Sequence, residues 1–165
     1  MEKEEKYRLL TAQVKSLIEG ETDFVSVMAN VWSVIHETMG FFWTGFYVVD
    51  EESHELHVGP FQGSVACMHI AYGRGVCGTA WKEAKTIVVP DVETFPGHIA
   101  CSSLSRSEIV VPLFNKEGHS ALIPAAIADY DLIPVDGKSR ILDAFIDNRP
   151  ATLARQVTQL LHIER

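Results

Sequence analysis

The 165-residue chain lacks the features that mark membrane-spanning and nucleic-acid-binding proteins. No apolar run approaches the roughly 20 residues that cross a bilayer. No block of basic residues occurs either, and 14 Lys and Arg against 22 Asp and Glu give a formal net charge of −8. Because phosphate backbones and anionic membrane surfaces repel a protein of this charge, we expect neither nucleic acid nor membrane as a partner.

Targeting signals, repeats and linkers are also missing. The first six residues, MEKEEK, are a charged run with no apolar segment behind it, which is not typical of a secretion signal or a transit peptide. We therefore expect a cytoplasmic protein. The length and the uniform composition predict a single domain over residues 1–165.

The apolar periodicity predicts an α+β fold. Helical stripes indicate helices over residues 6–18 and 22–39, ended by Gly20 and Gly40. Short strands and one further helix follow, predicted as strands 41–50, 55–58, 68–71, 86–89 and 109–114 and helix 76–84. The Gly-rich stretch 59–63 separates two of these strands, and residues 90–106 form a long irregular loop. The order indicates a largely antiparallel sheet flanked by helices.

Only three cysteines occur, Cys67, Cys77 and Cys101, and an odd number cannot all pair with one another. Thiols stay reduced in a cytosol, so a structural disulfide framework is not expected. Their spacing lacks the short Cys-x2-Cys pairs of structural zinc sites, so we predict no metal ligands and no cofactor.

The local settings of the cysteines differ. Cys101 lies in the long loop, three residues after His98, where a thiolate near a cation would be accessible. Cys77 lies near the start of a predicted helix, whose dipole favours an anion. Cys67 alone is compatible with an ordinary core residue. Acyl transfer by a Cys101–His98 pair stays open, but thiol redox chemistry uses more of these residues.

Six collinear runs resemble one known family, the GAF-domain free methionine-(R)-sulfoxide reductases. The runs are WTGFY at 43–47, GPFQG at 59–63, GRGVCGTA at 73–80, VPDV at 89–92, FPGHIAC at 95–101 and SRSEIVVP at 105–112. The resemblance covers about residues 7–119 and all three cysteines. It implies a GAF-like α+β fold and the thiol-dependent reduction of free L-methionine-(R)-sulfoxide.

The resemblance also implies roles for individual residues. Cys101 would be the nucleophile that becomes a sulfenic acid, Cys67 the resolving thiol, and Cys77 an auxiliary thiol. Glu108 would bind the substrate ammonium group or donate a proton. Trp43 and Tyr47, four residues apart on one strand face, would form an aromatic wall at the methyl–sulfinyl end; simple core packing is the alternative for each.

The sequence departs from the family after residue 119. The family's Asp-x-Asp pair near the substrate falls, without a gap, on Pro124 and Ala126. A five-residue insertion would instead bring Asp129 and Asp131 into register, although Pro124 would then interrupt a strand of the sheet. Residues 120–165 are therefore atypical, and whether they complete the active site is left open.

Two other functions share these residues. A ligand-binding GAF module would hold a small molecule in the same pocket without turnover. A redox sensor would use a Cys67–Cys101 disulfide as a switch and release no methionine. For the reductase, the resemblance implies free methionine sulfoxide as substrate, a thioredoxin-like dithiol as reductant, and a homodimer as an allowed assembly.

Overall fold

The computed structural model describes residues 3–115 and 117–128. The helices are α1 (Lys3–Ile18), α2 (Phe24–Met39) and α3 (Gly75–Glu83), with a short 3-10 helix at Val92–Thr94. The strands are β1 (Trp43–Asp50), β2 (Glu55–Gly63), β3 (His69–Ala71), β4 (Ile87–Val89), β5 (Ser107–Val110), β6 (Leu113–Phe114) and β7 (Ser120–Ala128). Among the described residues, no helix is long and apolar enough to cross a membrane.

Helices α1 and α2 confirm the predicted pair. The Asp23 carboxylate accepts a hydrogen bond from the backbone N–H of Ser26 at 2.7 Å and so caps α2. Gly40 ends the same helix in the left-handed conformation that glycine adopts without strain. The apolar stripes of both helices join a core cluster with one face of the sheet.

One seven-stranded antiparallel sheet forms the centre of the fold. Its order is β3-β2-β1-β7-β5-β4, and β6 also pairs with β7. The face opposite α1 and α2 packs against α3 and the loops that follow it. The predicted α+β class is confirmed.

Strand β2 is longer than predicted. Residues 59–63, expected to separate two strands, continue β2 to Gly63 and pair with β1. The glycines in this ladder make room for aromatic rings: a Cβ on Gly45 would collide with the side chains of Trp43 and Phe61, whose rings stack with centroids 5.5 Å apart. Gly45 of β1 therefore leaves room for the ring stack, and a Cβ on Gly63 would lie 2.6 Å from the backbone carbonyl oxygen of Phe42 and 3.0 Å from Cδ1 of Trp43.

Strand β7 runs through Pro124, so the expectation that this proline would interrupt the sheet is wrong. Pro124 pairs with Phe46 of β1, and its carbonyl accepts a hydrogen bond from the N–H of Val111 at 2.9 Å. The N–H and C=O of a strand residue point to the same neighbour, so the N–H that proline lacks faces the break between β5 and β6. No bond to β1 is lost.

Alternation along the central strands separates the two faces of the sheet. On β7, Leu122 and Ala126 join the core under α1 and α2, whereas Ile123 and Ala125 join the cluster on the other face. On β1, Trp43 and Tyr47 lie on that second face as well. The chemistry-bearing residues of β1, α3 and β5 therefore meet on the face away from the first two helices.

Candidate active site

A cavity lies on this second face, between the sheet, the start of α3 and the loops before β3 and β5. Its volume is about 50 Å³ with the Cys67–Cys101 disulfide formed. Most of its wall is apolar. The polar and aromatic side chains that line it are Trp43, Tyr47, Cys77, His98, Cys101 and Glu108, together with Phe42, Ser64, Ser102 and Ser105.

A disulfide joins Cys67 to Cys101 at the outer end of this cavity. The two Cα atoms are 6.0 Å apart, although the residues are separated by 34 positions in the sequence. Cys101 lies in an exposed part of the loop after the 3-10 helix, and Cys67 is half-buried in the loop between β2 and β3. The two thiols of the reduced form can therefore reach each other, and one of them is open to solvent.

Cys77 is a free and buried thiol in the first turn of α3. Its Sγ donates a hydrogen bond to Oε1 of Glu108, with 3.6 Å between the two atoms. Burial raises the pKa of the Cys77 thiol well above its ordinary value, and the neighbouring Glu108 charge adds to this. The expectation that the helix start would favour a thiolate at Cys77 is therefore wrong.

Glu108 lies on β5 and is buried at the inner end of the cavity. Burial raises its pKa to about 7, while the hydrogen bond from Cys77 acts in the opposite direction. A carboxyl group with this pKa is partly protonated near neutral pH. It can donate a proton to a bound molecule or, when ionised, hold a cation.

His98 lies beside Glu108. Its Nε2 is 3.8 Å from Oε2 of Glu108, and burial lowers the pKa of the imidazole. The sequence suggested His98 as a cation next to Cys101. The lowered pKa favours a neutral ring instead, and the charged group that His98 faces is Glu108.

Aromatic rings form one wall of the cavity. Trp43 stacks on Tyr47 with ring centroids 6.0 Å apart and on Phe61 with ring centroids 5.5 Å apart. The Tyr47 hydroxyl donates a hydrogen bond to the backbone carbonyl of Cys67 at 3.1 Å, which ties this wall to the disulfide loop. Nε1 of Trp43 is buried and has no hydrogen-bond partner among the residues that the structure describes.

Comparison with known proteins gives the family. No family model matches the chain. Over 117 residues it is 56% identical to GAF domain-containing protein A of Dictyostelium discoideum, covering 71% of this chain and 73% of that one. It is 43% identical over 117 residues to the free methionine-R-sulfoxide reductase of Escherichia coli (strain K12), covering 70% of each chain. It is 36% identical over 153 residues to the enzyme of the same name from Saccharomyces cerevisiae, covering 89% and 83%.

The chain belongs to the free methionine-R-sulfoxide reductase family. A solved structure agrees: free methionine-R-sulfoxide reductase from Neisseria meningitidis in complex with its substrate has a TM-score of 0.84 at 42% identity, covering 97% of this chain and 90% of that one. A GAF-domain structure has a TM-score of 0.81 at 33% identity. The predicted family and GAF-like fold are both confirmed.

The acidic pair of this reductase family remains the main departure. The ungapped positions are Pro124 and Ala126, and they lie on the face of β7 that points away from the cavity. Ala126 packs under α1 and α2, and Pro124, two residues earlier on the strand, lies on the same face. The β7 side chains that do line the cavity are the apolar Ala125 and Ile127. The insertion hypothesis names Asp129 and Asp131, and both lie outside the described residues.

Sequence reasoning alone missed two features of this reductase fold. The Cys77–Glu108 hydrogen bond joins residues 31 positions apart, and only the pairing of β5 in the sheet brings them together. Phe61 stacks on Trp43 of the aromatic wall but lies in the stretch that was not predicted as strand. Strict alternation from the hairpin turn would place residue 61 opposite Thr44, on the other face of the sheet; the irregular pairing between Gly45 and Tyr47 brings Phe61 opposite Gly45 and next to Trp43.

Proposed function

We propose that this protein reduces free L-methionine-(R)-sulfoxide to methionine by thiol chemistry in the cavity. One observation carries the proposal: the Cys67–Cys101 disulfide closes a cavity at whose inner end lies Glu108, a carboxyl group with a pKa of about 7. A pair of thiols that can reach each other and a nearby proton donor are the groups that sulfoxide reduction requires.

The reaction begins at Cys101. Its sulfur attacks the sulfoxide, the sulfinyl S–O bond breaks, and the oxygen passes to Cys101 as a sulfenic acid while methionine leaves. The Cys67 thiol then attacks the sulfenic sulfur, and water leaves as the disulfide forms. Two electrons pass from the two thiols to the substrate. The exposure of Cys101 and its link to Cys67 support this order of roles.

Glu108 supplies the proton. Breaking the S–O bond places negative charge on the oxygen, and a buried, partly protonated carboxyl group can neutralise it. Nε2 of His98 is 3.8 Å from Oε2 of Glu108, but the lowered pKa of His98 favours its neutral form. His98 is therefore not a permanent cation that would keep Glu108 ionised. Ammonium binding by the ionised carboxylate is the alternative role for Glu108, and it excludes proton donation by the same group in the same turnover.

The remaining cavity residues contact the substrate or hold Glu108 in place. The stacked rings of Trp43 and Tyr47 offer an apolar surface for the methyl–sulfinyl end of the substrate. The unpartnered Trp43 N–H is available to a substrate oxygen. Cys77, with its raised pKa and full burial, stays a thiol and serves as an auxiliary group that keeps Glu108 in place.

A dithiol protein of the thioredoxin type returns the disulfide to two thiols, with its own pair oxidised in exchange. Large apolar side chains one to three residues from the disulfide cysteines in the sequence are exposed: Val65, Met68 and Leu104 are 80%, 69% and 61% exposed. Such a rim suits the docking of another protein next to the sulfur atoms. We place the cycle in the cytoplasm, where such reductants are available, and a homodimer through the N-terminal helices stays a prediction.

The experiment that tests this function counts thiols and methionine together. Reduced protein is mixed with free L-methionine-(R)-sulfoxide, and we expect one methionine for every two thiols lost, with Cys67 and Cys101 linked in the peptide map. Binding without thiol loss would instead indicate a ligand-binding module. Disulfide formation with an oxidant but no methionine from the sulfoxide would indicate a redox sensor.

A further inference from the structure

A second cluster of side chains that can bind a metal lies outside the cavity, on β2 and the edge strand β3. Strands β2 and β3 pair so that His57 lies directly opposite His69, and Glu55 lies two residues before His57 on the same face of β2. All three side chains are at least partly exposed. None of them takes part in the proposed reduction.

The ligand atoms of these side chains converge. Nδ1 of His69 is 3.6 Å from Oε2 of Glu55, and Nε2 of His57 is 4.0 Å from the same oxygen. The three ligand atoms lie within 4.8 Å of one another. A tetrahedral ion with bonds of about 2.1 Å requires ligand atoms about 3.4 Å apart. Side chains with this exposure close such a gap by small rotations.

The pairing of the strands preorganises the cluster. The two imidazole rings meet edge to face with centroids 4.6 Å apart, held by the backbone ladder of β2 and β3. Asp50 adds a further carboxylate, with Oδ2 3.6 Å from Nε2 of His57. A positive ion would thus meet two imidazole nitrogen donors and two nearby carboxylates.

The donor set indicates the kind of ion. Imidazole nitrogens suit zinc, copper, iron and nickel, whereas calcium and magnesium prefer oxygen donors alone. Two histidines and one glutamate with a fourth position open to solvent form a typical zinc donor set. We propose that Glu55, His57 and His69 bind a divalent cation of the zinc class and that the ion links the edge strand β3 to β2. This site is independent of the proposed function.

The test uses the oxidised protein, because the Cys67–Cys101 disulfide removes two sulfur donors that would otherwise compete. Zinc binding is measured by isothermal titration calorimetry on the full chain. We expect one ion per chain, and Glu55→Gln, His57→Gln or His69→Gln should each weaken binding by roughly tenfold or more, since even outer partners of metal ligands change affinity 10- to 100-fold. His119→Gln, at an exposed histidine outside the cluster, is the matched control and should bind as the unchanged protein does.

A second measurement identifies the donors without any variant. Cobalt(II) bound to oxidised wild-type protein should give the visible bands of a nitrogen and oxygen donor set, without the intense near-ultraviolet absorption that a thiolate adds. Zinc should also raise the thermal midpoint of the wild type but not that of His69→Gln. No binding by the wild type, equal binding by His69→Gln and His119→Gln, or a thiolate band at cobalt would each overturn the proposal.

Discussion

We expect the three cysteines of this chain to differ in reactivity because their surroundings differ. Cys101 is exposed on a loop, Cys67 is half-buried within bonding distance of it, and Cys77 is fully enclosed beside Glu108. A thiolate is the reactive form, and burial without a cation disfavours it. The proposed roles of the three cysteines rest on their accessibility, which the residue type alone does not determine.

The cysteine roles predict three distinct kinetic outcomes. Cys101→Ser should release no methionine, because the attacking sulfur is gone. Cys67→Ser should release about one methionine per chain and then stop, because the sulfenic acid has no resolving partner. Rapid quench with methionine quantification and a sulfenic-acid trap distinguishes the two. Cys77→Ser is the matched control and should retain multiple turnovers; multiple turnovers by Cys101→Ser would contradict the assignment.

The pKa of Glu108 predicts a pH dependence of the rate. Raising the pH through about 7 ionises Glu108 and removes the proton that it donates. Glu108→Gln should therefore be roughly 100-fold slower than the wild type near pH 6, within the usual range for general acid catalysis. The single-turnover rate of the wild type divided by that of Glu108→Gln should fall by about tenfold per pH unit above 7. A ratio that stays constant from pH 6 to 9 would return Glu108 to a structural role.

The sequence predicts those residue-level features that depend on neighbours along one strand, and not those that depend on distant elements. Trp43 and Tyr47 share a strand face because side chains alternate with period two, and the structure places both in the cavity wall. The raised pKa of Glu108 depends on enclosure by α3 and β7, and no local pattern reports it. The same holds for the His57–His69 pair, which exists only through strand register.

At the scale of elements, α3 approaches the β3 turn so closely that one position excludes any side chain. A Cβ on Gly78 would lie 2.7 Å from the carbonyl oxygen of Ala71 and 3.2 Å from the backbone nitrogen of Gly73. Both contacts are with backbone, which cannot rotate away. The start of α3, and with it Cys77, is positioned by this contact.

Gly78→Ala separates helix propensity from packing. Alanine is the better helix former by about 1 kcal/mol, so propensity alone predicts a more stable protein. The close approach predicts the opposite, a loss of about 1 to 3 kcal/mol in the free energy of unfolding. Urea denaturation of the oxidised protein measures the difference. A stabilised variant would show that α3 can move away from β3 at little cost.

The sheet itself was predictable except where glycine and proline act against their usual roles. Helices α1 to α3 and strands β1, β3 and β4 follow from apolar spacing, caps and turns, whereas the strand predicted over residues 109–114 is two strands, β5 and β6. Residues 59–63 join β2 by pairing with β1, whose Gly45 leaves room for the Phe61 and Trp43 rings, and β7 tolerates Pro124 because its neighbour on that side is interrupted. Both exceptions depend on the partner strand, and a single-strand pattern cannot contain that information.

At the scale of the whole molecule, the described residues give the cavity few charged groups. Within residues 3–115 and 117–128, the cavity carries one carboxylate, Glu108, and the β7 side chains beside it are apolar. The single-domain assignment for residues 1–165 and the role of the last 37 residues stay predictions. Their test is whether acidic side chains after β7 contribute to substrate binding.

Asp129→Asn combined with Asp131→Asn tests the insertion alignment. If these carboxylates hold the substrate, the paired change should weaken binding of free methionine sulfoxide by roughly 10- to 100-fold, the usual value of charged hydrogen bonds. Affinity is measured by calorimetry on a reduced Cys101→Ser background, which prevents turnover. Asp136→Asn, in the same part of the sequence, is the matched control. Equal affinity in all three proteins would rule out the alignment.

The most direct test of the whole account is single-turnover release of methionine by pre-reduced protein. Three substrates are compared: free L-methionine-(R)-sulfoxide, the free S epimer, and a peptide that contains the R sulfoxide. The account predicts about one methionine per chain from the free R epimer and none from the other two. No release from the free R epimer by folded, fully reduced protein would contradict it and leave a cysteine-bearing GAF fold without this activity.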